Sequence, residues 1–202
     1  MKYDEYYAAR PADIGAYEEK RTGGKPIYDG VVLHVVRDEI LLPDGKPGVR
    51  EVVRHPGAVA VVPLTREGEV VCVRQFRYPN NGMLLEIPAG KLEPGERERG
   101  FTAGIENAAR RELREETGAV SGKLTYIGQF LSSPAILDEI IYLFLAEDLS
   151  FGETDPDDDE FIDVVRVPLG ELCAAIADGR VTDGKTQAAV LKADYILRGR
   201  KN

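Results

Sequence analysis

Residues 58–64, AVAVVPL, constrain this chain most. An unbroken apolar run this short and this rich in valine reads as a strand buried on both faces, not as a helix. It is expected to form a hairpin across the Arg-Glu-Gly turn with Glu69–Arg77, EVVCVRQFR. Upstream, IYDGVVLHVV and VREVVRH flank LLPDGKPG, whose Pro-Asp-Gly and Lys-Pro-Gly triplets are turn chemistry, so residues 27–55 read as an antiparallel meander. Residues 1–25, with four tyrosines and a Gly-Gly-Lys-Pro break at 23–26, read as an arm with one weak helix and no core of its own. Downstream come short strands at 84–88, 124–130, 139–146 and 161–167. Helices are expected at 106–117, with Gly118 in the C′ position, and at 169–177 and 186–197, with Asp183-Gly184 as the break between the last two. Many strands, few helices and no regular βα alternation place the chain in the α+β class, not among doubly wound sheets.

Its 202 residues suit one full domain with a sizeable extra segment, expected to divide as 1–55 and 56–202. Lys+Arg 26 against Asp+Glu 35, a net charge of -9, argues against holding nucleic acid through its phosphates. No apolar stretch is long enough for a membrane span, and the opening MKYDEYYAARPAD lacks a signal-peptide pattern, so the cytoplasm is expected. Cys72 and Cys173 have no metal-ligand spacing and read as reduced core residues. His34 and His55 read as strand residues. No dinucleotide fingerprint is present, and Gly184-Lys185-Thr186 lacks the upstream glycine of a phosphate-binding loop.

The chemistry concentrates on the helix ENAARRELREET. Glu112, Glu115 and Glu116 stand three and four residues apart, which puts three carboxylates on one face. Two readings stand: a solvated face eased by Arg110, Arg111 and Arg114, or an oxygen cluster for a hard divalent cation, which would relieve the repulsion. On either, Glu116 is expected to be exposed.

Read together, Gly90, Glu96 and Arg111-Glu112-Leu113-Arg114-Glu115-Glu116-Thr117-Gly118-Ala119 resemble the Nudix box. The departure is the interval from Glu96 to Arg111, fourteen residues where the family has seven. The excess, within RERGFTAGIEN, looks like a widened loop ahead of the helix, which leaves the placement of Glu96 open. HPGAVAVVPL, VVCVRQFRYP, LLEIPAGKLEPGE and SSPAILDEIIYLFLAEDL are similar to the ADP-ribose pyrophosphatase branch. The resemblance implies a Nudix fold, a mixed β-sheet core packed between helices, with an N-terminal antiparallel domain exchanged in a homodimer whose sites are shared. It further implies Mg²⁺-assisted attack of water on a nucleoside diphosphate, giving AMP and ribose 5-phosphate from ADP-ribose, with Mn²⁺ an expected substitute.

Carried over by position, Glu112, Glu116 and the Ala89 carbonyl would hold the metal, Glu115 would be a ligand or an orienting group, and Glu96 would complete the site or hold its loop. The acidic loop ETDPDDDE, residues 153–160, would supply the water-activating base or a further ligand, Glu160 first and Asp158 second; a solvated acidic segment is the alternative. Arg77 matches a phosphate-contacting arginine. Arg74 is either the same or an exposed strand charge, and Tyr28 either stacks on adenine or belongs to a core. Glu86 and Glu139 resemble positions that reach the substrate. Ser133-Pro134-Ala135-Ile136 stands where the branch often has Ser-Pro-Gly, which leaves another nucleoside diphosphate derivative, such as ADP-glucose, GDP-mannose or a dinucleotide, as the alternative substrate. A non-catalytic sensor of an ADP-ribose-type ligand is the third reading.

Overall fold

The computed structural model describes residues 15–155 and 161–200, and the chain falls into two units. These are Met1–His55 with Ser133–Asp138, and Pro56–Ser132 with Glu139–Asn202.

The first unit is a meander of β1 (Lys20–Asp29), β2 (His34–Leu41) and β3 (Pro47–Arg54), all antiparallel. The Gly-Gly-Lys-Pro segment is not a break: it lies inside β1, which absorbs it through register shifts at 21–23 and 26–28. An edge strand tolerates this, because a proline there need not donate to a neighbour. His34 opens β2, whereas His55 lies just past β3. Asp38 is buried between Arg21, 2.8 Å away, and Arg54, at 2.6 Å. Arg54 also reaches Asp138 at 3.0 Å, and Val53 N–H donates to Ile136 O at 2.8 Å, tying residues 133–138 to β3. Among the unit's described residues Ile40 is the one buried apolar side chain, so the meander has almost no core of its own.

The second unit is built on β4 (Ala58–Pro63), in which every residue is buried as the apolar run requires. Ala58, Ala60 and Val62 join one apolar cluster and Val59 and Val61 another. The alternation of side chains along a strand puts the two clusters on opposite faces. The expected hairpin with β5 (Glu69–Arg77) is limited to a single bridge, Leu64 to Val70. Beyond that turn the chain changes sheets, because β4 is already flanked by β7 (Ala89–Lys91), antiparallel, and β9 (Ile140–Phe151), parallel. The two sheets run β7-β4-β9-β8, with β8 at Ala119–Leu131, and β10-β5-β6, with β10 at Ile162–Pro168 and β6 at Gly82–Glu86.

The LLEIP segment is therefore not one strand. It ends β6 at Glu86 and crosses at Ile87-Pro88 to begin β7, where Pro88 O accepts from Val61 N–H at 2.9 Å. Helix α1 (Asn107–Thr117) packs Ala108, Ala109 and Leu113 against one face of β4, and α2 (Leu169–Ala177) and α3 (Gly184–Gly199) pack Leu172, Ile176 and Val190 against the other. The result is the expected α+β arrangement of mixed sheets between helices. Cys72 and Cys173 are both free thiols; burial pushes Cys72 up to about 12, which keeps it protonated, and Cys173 is only partly buried.

Candidate active site

α1 is amphipathic in an unusual way. Its apolar side enters the core, and beside it Glu112 and Glu116, four residues apart, are also buried. Glu116 is only 5% exposed, against the expectation of an exposed carboxylate, because β7 lies over it: Ala89 N–H donates to Glu116 Oε2 at 3.1 Å. Gly90 leaves the space that Glu112 fills. A Cβ at Gly90 would stand 2.1 Å from the Glu112 carboxyl carbon, so no other residue can sit there with Glu112 in place. β7 thus brings the backbone of Ala89 and Gly90 against two carboxylates held by one helix.

Arg111 stands among the remaining acids. Its Nη1 is 2.8 Å from Glu112 Oε1 and donates to Glu115 Oε2 at 3.2 Å, while Glu96 lies 3.5 Å from Nη2 and Glu93 3.8 Å from Nε. Burial by itself would lower the arginine's pKa, but the charges of Glu112, Glu96 and Glu93 raise it overall. Nε and Nη2 are buried without a hydrogen-bond partner. Glu115 also accepts from Arg114 at 3.1 Å, so it faces arginines and not β7. Glu96, whose position the long interval left open, is buried near Arg111. The interval is not simply a widened loop: Phe101–Glu106 forms a π-helical turn that runs directly into α1.

Arg77, at the end of β5, is gripped by Glu86 at the end of β6: Nε and Nη2 donate to the two carboxylate oxygens at 2.7 and 2.8 Å. Lys185 Nζ donates to the same carboxylate and reaches Asp183 at 3.1 Å. Burial of Glu86 would raise its pKa, yet Arg77 and Lys185 hold it below the usual carboxylate range. Arg77 is raised, first by its bond to Glu86, with Glu116 and Asp183 among the nearby charges. The charge of Glu116 on α1 thus acts on Arg77. Glu86 orients Arg77 instead of pointing outward. Lys185 and Asp183 were missed by the sequence reading, although a signal exists: a lysine in the first turn of a helix opposes the helix dipole and needs a carboxylate from elsewhere.

The other candidates scatter. Arg74 is half-exposed, directly opposite Asp163 on β10 and 3.9 Å from it, which favours the strand-charge reading. Tyr28, in the first unit, is more than half exposed, so it belongs to no core; its ring lies over Gly30. Glu139 precedes β9 and accepts from Ser132 Oγ. Asp158 and Glu160 lie outside the described residues. Before them, Asp155 N–H donates to Glu115 O at 2.9 Å.

The family described as NUDIX domain matches residues 54–189. The chain belongs to the Nudix family. It is 43% identical over 175 residues to an ADP-ribose pyrophosphatase of Bacillus subtilis (strain 168), covering 86% of this chain and 91% of that protein. It is 42% identical over 176 residues to a methanol dehydrogenase activator of Bacillus methanolicus, with the same coverage of both chains. The crystal structure of an ADP compounds hydrolase matches with a TM-score of 0.78 at 21% identity, covering 91% of this chain and 96% of that one, a likeness of fold.

Nudix hydrolases generally use divalent metal ions. The Nudix residues of this chain fit one: the two buried carboxylates, brought against the backbone at Gly90, offer oxygen donors of the kind a hard cation takes. Among the described residues no three His, Cys, Asp or Glu side chains already form a cage. No helix of the described residues is long and apolar enough to cross a membrane.

Proposed function

We propose that this Nudix protein hydrolyses the diphosphate of ADP-ribose, giving AMP and ribose 5-phosphate, with Mg²⁺ as the cation and Mn²⁺ able to substitute. The observation that carries it is the burial of Glu112 and Glu116 against Ala89 and Gly90, beside a preset Arg77. Burying two carboxylates side by side is costly, and a bound cation would offset their charge beyond what Arg111, 2.8 Å from Glu112, already does. The similarity to the Bacillus subtilis enzyme supports the substrate.

In this reading Glu112, Glu116 and the Ala89 carbonyl hold the cation, with Glu96 completing the site. When bound, the cation offsets charge on the diphosphate oxygens and lowers the pKa of a coordinated water. Arg77, fixed by Glu86 through Nε and Nη2, presents Nη1 to a phosphate oxygen. Glu115, held by Arg111 and Arg114, orients the helix face. Glu160 takes the proton from the attacking water, with Asp158 the second choice. Glu139 and Tyr28 are assigned outer substrate contacts on the family resemblance alone, whereas Arg74, opposite Asp163, is read as a strand charge. The exposed Ile27, Val31, Val32 and Leu33 of the first unit support its exchange in a homodimer with shared sites, and the free thiols suit the cytoplasm.

The test is ADP-ribose turnover by the wild type and by Glu116→Gln. The variant should be slower by at least a hundredfold while remaining folded by circular dichroism. Equal turnover would remove α1 from the reaction.

A further inference from the structure

The residues that lengthen the interval between Glu96 and α1 do more than bridge it. Phe101–Glu106 makes a π-helical turn, with Ile105 N–H reaching back five residues to Gly100 O at 3.4 Å and Gly104 N–H donating to the same oxygen at 3.0 Å. Such wide turns are rare and often mark functional positions. Three contacts fix this one. Phe101 packs edge-on against Tyr126, ring centres 4.9 Å apart, and lies 6.0 Å from Phe144 on the neighbouring strand. Ile105 is buried in the apolar cluster beneath α1. Gly104 lies flush on the backbone of Glu96: a Cβ there would come within 1.6 Å of the Glu96 carbonyl oxygen, which is backbone and cannot swing aside. The Glu96 side chain then turns inward, accepting from Glu93 N–H at 2.8 Å, with Arg111 Nη2 3.5 Å away.

We propose that the π-helical turn is a clamp on Glu96, with Gly104 and Phe101 as positioning residues that hold its carboxylate at the cation site despite a doubled interval. A fourteen-residue connection closes at little extra entropic cost, but by itself it leaves a side chain in its first turn without a fixed place. The clamp supplies that place. Gly104 fixes the height of the Glu96 backbone, and Phe101 fixes the turn on the sheet. The inference rests on Glu96 belonging to the cation site, and the experiment separates the two.

Mn²⁺ binding to the full-length protein is measured by electron paramagnetic resonance of the free ion, for the wild type, Glu96→Gln, Gly104→Ala, Phe101→Ala, Glu96→Gln/Gly104→Ala and Glu96→Gln/Phe101→Ala. Single substitutions at Glu96 and Gly104 should each weaken binding by about tenfold, the lower range for supporting positions around a metal. Each double variant should bind no more weakly than Glu96→Gln alone. If Glu96→Gln weakens binding while Gly104→Ala and Phe101→Ala do not, the clamp is wrong and the reading of Glu96 survives. Additive losses likewise overturn the clamp, and unchanged binding in Glu96→Gln overturns both. Should Gly104→Ala fail to fold, the Phe101 pair decides alone, since that side chain is 41% exposed and its loss is tolerable.

Discussion

At the scale of single residues, Gly90 separates what the fold needs from what the site needs. The atoms a Cβ would strike belong to the end of the Glu112 side chain, which can swing away, so Gly90→Ala displaces a carboxylate without disturbing the backbone. The melting temperature of Gly90→Ala should fall by less than about 4 °C, equivalent to about 1 kcal/mol for a chain of this size. Turnover should drop by about tenfold or more, with a raised metal requirement. Intact turnover in that variant would show that Glu112 works from another position. The spacing of Glu112, Glu115 and Glu116 was legible in the sequence because helical periodicity is local. Their different fates were not: Glu116 lies under β7, and Glu115 faces Arg111 and Arg114. Both depend on partners distant in sequence.

At the scale of elements, Glu86 ties together the ends of β5 and β6 and the start of α3 through Arg77 and Lys185. Ile87 N–H adds a bond to Thr186 Oγ1 at 2.9 Å, and Asp183 caps α3 by accepting from Thr186 N–H. Replacing Glu86 leaves two cations without their shared partner, and Glu86→Gln should cost about 3 kcal/mol at neutral pH, the low end for breaking a buried pair. Because the folded carboxyl titrates below its unfolded value, its contribution is complete above the ordinary carboxylate range and is lost as the pH falls through the lowered folded value. The gap in melting temperature between wild type and Glu86→Gln should therefore narrow as the pH is taken below about 4. A gap that stays constant on acidification would exclude Glu86 as the carrier of the effect. The double burial of β4 was legible from its composition alone, and so was α1 from its helix formers and Gly118. Which sheet each strand joins was not, because the turn after β4 looks the same whether the chain folds back or crosses over. The Gly-Gly-Lys-Pro segment misled for a related reason: its residues break an inner strand but not an edge.

At the scale of the whole molecule, the two units differ in how they can be stable. The second carries two apolar clusters on either side of β4, whereas the first buries one apolar side chain and one ion cluster among its described residues. The proposed exchange in a homodimer would cover a three-stranded sheet that buries so little among its described residues. Sedimentation equilibrium should therefore give the mass of two chains, and a one-chain mass would remove the shared-site homodimer. Family membership was legible from the box even with its interval doubled, because the helix carries its carboxylates as a rigid set. The acidic segment from 153 to 160 was legible only as composition, and the bond from Asp155 N–H to Glu115 O became visible in the fold.

The most direct measurement is kcat/KM of the purified protein with Mg²⁺ for ADP-ribose, ADP-glucose, GDP-mannose, NADH and a diadenosine polyphosphate, with products resolved by chromatography. Selectivity is a difference in transition-state binding, so the ratio of these constants reports the substrate directly. The highest value is expected for ADP-ribose, with AMP and ribose 5-phosphate in equal amounts and no product when the cation is chelated. A higher value for another compound, or no cleavage of any of them, would contradict the proposed function.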